Sequence, residues 1–76
     1  MLTLAEAPEG SKVIVEDIMW GGWGFRRRLM EMGIAPGVLI EVLNNSRGPV
    51  VVRVRGVTLA IGRGMASKVA VRIAHG

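Results

Sequence analysis

Short runs in which β-branched residues recur at every second position, each cut off by glycine, most constrain what this chain can fold into. Val13 and Val15 share such a phase, as do Val38, Ile40 and Val42, then Val50, Val52 and Val54, and finally Val69, Val71 and Ile73. That is the period of a strand with one buried face. Eleven glycines lie among these runs. A glycine inside a strand gives up packing and raises the entropy cost of ordering, so every element must be short.

The runs predict strands over 12–18, 38–43, 50–55, 57–61 and 69–73, with a helical turn over 4–7 ahead of the first. The period changes once. From Phe25 onward, Phe25, Leu29 and Met32 fall within about 60° of one another on a helix, with Arg27 and Glu31 on the opposite side. Gly33 follows where a left-handed C-cap belongs, so the expected helix ends at Met32. It is too short to stand alone in water and must dock its apolar stripe on the sheet. Pro36 and Gly37 turn the chain into the second strand, Arg55 and Gly56 reverse it tightly between the third and fourth, and 65–68 leave room for one more helical turn.

The middle three strands are joined closely enough for an antiparallel meander. Nothing remains to supply a second layer, so the sheet must curl to bury its apolar face and its edges. The expected fold is mainly β: about five antiparallel strands bent into a small barrel in one domain spanning 1–76, with one short helix inserted after the first strand. A folded chain of 8.2 kDa exposes about 4,500 Å², which leaves a small core.

With 50% hydrophobic and 21% charged residues the chain is too apolar for disorder, yet no apolar run reaches membrane-spanning length. There is no cysteine, which excludes disulfides, thiolate metal sites and thiol chemistry. The first ten residues carry neither a basic segment nor an apolar stretch of signal length, so a cytoplasmic location is expected. Ten Lys plus Arg against six Asp plus Glu give +4, which favours an acidic or phosphate-bearing partner. Most of the basic residues are arginine, suited to bidentate contacts with carboxylates and phosphates alike.

Nearly the whole chain is similar to a known family. In RRRLMEMGIAPGVLIEVL at 26–43, the residues Arg28, Leu29, Met32, Gly33, Pro36 and Gly37 match an R-L-x-x-L/M-G-x-x-P-G core; the match continues through GPVVVRVRGVTLAI at 48–61 and closes with Ala66 and the V-A-V of 69–71. With the opening Leu4, Pro8 and Gly10, these residues resemble the FeoA family. Its members are small cytoplasmic accessory proteins of bacterial ferrous iron transport, and their domain also occurs at the C-terminus of some iron-dependent repressors. The resemblance implies an SH3-like β-barrel and an accessory or regulatory role toward the ferrous iron transporter FeoB, at its cytosolic GTP-binding part or its membrane part. Two departures stand out. The loop at 20–24 is unusually aromatic, and Gly62 and Gly64 occupy positions that are charged in many relatives, which makes the turn before the last strand less intrinsically helical.

Arg26, Arg27 and Arg28 are the first candidates for partner contact, since adjacent guanidinium groups on a short helix can engage an acidic patch. Arg27 can instead pair with Glu31. Arg28, the family-matched position, is expected to run its stem along the core margin, which leaves Arg26 and Arg27 for contact. Trp23, on a glycine-flanked loop, is a candidate interface anchor, as is Trp20 to a lesser degree; either could equally cap an open end of the barrel. Leu39 and Leu43 point outward from the second strand and suggest protein contact or self-association.

No cofactor is expected. The glycines at 21–24 lack the lysine and hydroxyl residue of a phosphate loop, and the single His75 and scattered carboxylates have no converging metal-ligand spacing. Met30 and Met32 diverge on the helix. No acid, base and nucleophile set is present either, so no enzymatic activity is expected. The alternative from another class is nucleic-acid binding, with Arg53, Arg55, Arg63 and Arg72 joining the helix arginines. The meander strands carry no aromatic residue for base stacking, which weighs against it.

Overall fold

A computed structural model of the chain describes residues 1–19 and 21–75. One antiparallel sheet organises it. Its strands are β1 (Leu2–Thr3), β2 (Lys12–Ile18), β3 (Leu39–Asn44), β4 (Val50–Val54), β5 (Val57–Ile61) and β6 (Val69–Ile73), in the spatial order β1-β6-β2-β3-β4-β5. A 3₁₀ turn (Leu4–Glu6) follows β1, helix α1 (Trp23–Glu31) lies between β2 and β3, and helix α2 (Arg63–Ala66) precedes β6. The surface exposed is 4535 Å².

Strands β2, β3, β4 and β6 bury the phases expected of them, with Val38 and Ile73 half-buried at the margins of the core. Val13 and Val15, Ile40 and Val42, Val50, Val52 and Val54, and Val69 and Val71 are all buried in one core. Two bulges adjust the pattern. The register of β2 on β6 shifts between Val15 and Asp17, which brings Ile18 back inside, and the Asp17 carboxylate accepts the Ile18 N–H at 2.8 Å. The register of β3 on β4 shifts between Val42 and Asn44, which leaves Leu43 outside as the extra residue.

The sixth strand is β1, whose two residues pair with Val71 and Ala70 of β6. Two residues are too few to display alternation, so the sequence shows only the helical turn that follows. The Thr3 N–H and hydroxyl both donate to Glu6 Oε1, at 3.1 and 3.0 Å, fastening that turn to the strand.

Helix α1 starts two residues earlier than its apolar stripe, with Gly22 as N-cap. Its end is a Schellman motif: Ile34 N–H donates to Leu29 O at 2.8 Å and Gly33 N–H to Met30 O at 2.9 Å, with Gly33 at φ 88°. Leu29 and Ile34 are both fully buried, which supplies the apolar contact that accompanies this cap. Phe25 and Met32 pack partly buried against the same core, so the predicted stripe is the docked face. Gly64 does not prevent α2 from forming, because the buried Ala66 anchors it and Ala66 N–H closes on Gly62 O at 2.8 Å.

Candidate protein-interaction face

Helix geometry divides the side chains of α1 in two. With about 100° per residue, Trp23, Arg27 and Met30 fall within about 60° of one another, and their centre lies nearly opposite the Phe25, Leu29 and Met32 stripe. The burial agrees with the wheel. Trp23 is 73% exposed and Met30 54% exposed, whereas Leu29 is fully buried. Two large apolar side chains therefore face solvent on one side of a short helix, with an arginine between them.

The approach to this helix is built around a glycine. Gly21 has φ 113°, and a Cβ there would lie 2.7 Å from Cγ of Phe25. Phe25 is further held by Lys68, whose Nζ stands 5.3 Å from the ring centroid. The first turn is thus fixed from beneath, which holds Trp23 outward at its first helical position.

The three helix arginines take different roles. Arg26 Nη2 donates to Ile18 O at 2.8 Å, so this side chain ties α1 to the end of β2. Arg27 Nε lies 3.2 Å from Glu31 Oε1, in a pair exposed on both sides. Such a pair contributes little to stability and is easily surrendered to a partner. Arg28 is exposed and, among the described residues, its side chain makes no hydrogen bond or ion pair. The expected division is therefore reversed: Arg26 is the anchored arginine and Arg28 the unencumbered one. The reason is the bulged end of β2, which leaves the Ile18 carbonyl within reach of Arg26.

Trp20 lies outside the described residues. Leu39 and Leu43 are exposed, as expected, but they sit on β3 rather than on the helix, so the candidate contacts fall on two elements. Met30 was not among the sequence candidates. The available signal was its seven-residue spacing from Trp23, which places it on the same helical face. Among the described residues no three His, Asp or Glu side chains gather as a metal site would require, and no helix is long and apolar enough to cross a membrane.

A six-stranded antiparallel sheet with one short helix inserted after β2 is an SH3-like fold. The FeoA domain model matches residues 2–73, and the chain belongs to that family. It is 45% identical over 75 residues to a protein of Methanocaldococcus jannaschii provisionally named Fe(2+) transport protein A, covering 99% of this chain and 90% of the relative. The crystal structure of an iron uptake regulatory protein, FeoA, superposes with a TM-score of 0.87 at 44% identity, covering 96% of each chain. FeoA of Stenotrophomonas maltophilia, crystallised with zinc and described as an SH3 domain protein, superposes at 0.81 with 24% identity over 95% of this chain and 91% of its own.

Proposed function

We propose that this protein is a non-enzymatic, cytoplasmic accessory factor of ferrous iron uptake that docks on the cytosolic part of the transporter FeoB through the outer face of α1. The observation that carries this reading is Trp23 at 73% exposure on a helix whose opposite stripe is buried. A rigid indole loses little entropy when a partner covers it, and such residues dominate interface energetics. Arg27 and Arg28 add positive charge that steers an acidic surface toward it. Membership of the FeoA family, and a close relative provisionally named for Fe(2+) transport, support the pathway. On the sheet, Arg53 stands opposite Glu41 and Thr58 and Arg72 opposite Ile14, with no ring among these partners to stack a base, which favours a protein partner over a nucleic acid.

The test is binding of purified variants to full-length FeoB at two salt concentrations, beside a thermal melt. Trp23→Ala should weaken binding with little salt dependence, and Arg27→Glu should weaken it most at low salt. Both should melt like the parent. Parental binding by both variants would exclude this face.

A further inference from the structure

The outer face of the sheet carries an open groove of about 430 Å³ between the turns at Gly37 and Gly56. Val38 and Leu39 give it an apolar lining, and Glu41, Arg53 and Arg55 give it charge. Leu39, the first residue of β3, is 46% exposed.

Two features of the arginines are unexplained by folding. Arg53 stands opposite Glu41 in the β3–β4 register, yet among the described residues no ion pair joins them. Arg55 is the first residue of the two-residue turn between Val54 and Val57, with φ 51°, followed by Gly56 at φ 81°. Positive φ at both positions is the type I′ hairpin geometry, for which asparagine or glycine is the preferred first residue. Arg55 is the only non-glycine residue among those described that adopts positive φ. A side chain kept in a disfavoured backbone state points to function at that position.

We infer that this groove binds an extended acidic segment of a partner protein, with its carboxylates on Arg53 and Arg55 and an adjacent aliphatic side chain on Val38 and Leu39. Complementarity selects this occupant. The two guanidinium groups suit carboxylates, while the apolar lining at Val38 and Leu39 favours an aliphatic side chain beside the acids, which a phosphate backbone does not offer. The site is separate from the outer face of α1 and stands or falls independently of it.

The experiment is an amide NMR titration of the whole chain with the peptide acetyl-Leu-Asp-Leu-Glu-amide. Its neutral analogue, with Asn and Gln, and a thymidine trinucleotide carrying the same two negative charges are run alongside. The acidic peptide should shift the Leu39, Arg53 and Gly56 amides, and the two controls should not. Arg55→Asn should weaken the peptide by about tenfold while raising Tm by about 4 °C, because it removes the strained residue. Arg53→Gln should weaken it similarly with no rise in Tm. An absence of shifts at the groove, equal binding of the trinucleotide, unchanged affinity in Arg55→Asn, or a lower Tm in that variant would each overturn the assignment.

Discussion

Arg63 and Asn45, eighteen positions apart, are joined at 2.7 Å between Nη2 and the side-chain oxygen, and both donate to the same backbone carbonyl, Ala5 O, at 3.2 and 3.0 Å. Asn45 Nδ2 also donates to Ala7 O at 2.7 Å, and Asn45 N–H to Glu9 Oε1. This pair fastens the β3–β4 loop, the start of α2 and the 3₁₀ turn to one another, and so holds the short β1 in place. Asn45→Ala should lower stability by about 1–3 kcal/mol, since it strips partners from two partly buried carbonyls. A urea denaturation matching the parent would show that the pair is incidental.

Val52 is fully buried at the centre of the sheet, opposite Val42 on one side and Leu59 on the other. Val52→Asp places an uncompensated carboxylate there, and its cost should approach the whole stability of a small domain, about 5 kcal/mol. Circular dichroism should report a chain that is largely unfolded at room temperature.

Gly21 stands against Phe25 at the approach to α1, with φ 113°. Gly21→Ala should displace Phe25 from its place over the core and cost about 1–3 kcal/mol from the clash and the unfavourable backbone state. The same change should alter the Lys68 contact, read from ring-current shifts at its side-chain protons.

Much of this was legible in the chain because strand alternation and helix periodicity are local signals. The buried valines of β2, β3, β4 and β6, the Phe25, Leu29 and Met32 stripe and the Gly33 cap all follow from spacing alone. What was hidden depends on partners distant in sequence. Neither bulge has a local signature, so Ile18 inside and Leu43 as the extra residue emerge only when the strands pair. Arg26 acts structurally because a carbonyl eight residues earlier is exposed to it, and Arg63 looked like one surface charge among several. At the candidate face, Arg27 follows from the helix wheel and Trp23 from its glycine-flanked position, while Met30 joins them only because the helix begins at Trp23, two residues before the apolar stripe.

Glu6 supplies a pH dependence. Hydrogen bonds from the Thr3 hydroxyl and N–H hold its carboxyl below the ordinary value of 4.5. A carboxylate depressed by folding stabilises the native state above its unfolded pKa, and that contribution is lost as pH falls through the lower folded value. The parent should therefore lose Tm below about pH 4.5 more steeply than Glu6→Gln, which lacks the titrating group. Parallel profiles would show that the Thr3 contacts do not favour the ionised form.

The central claim is that a partner covers Trp23, and the most direct measurement is ¹⁹F NMR of protein labelled with 5-fluorotryptophan, titrated with full-length FeoB. Trp23→Phe assigns the resonance by its disappearance. The account predicts that the Trp23 signal shifts or broadens on addition of the transporter, and that Arg27→Glu at low salt suppresses the change. A Trp23 signal that stays unchanged while the transporter retains the protein in a sedimentation assay would contradict it.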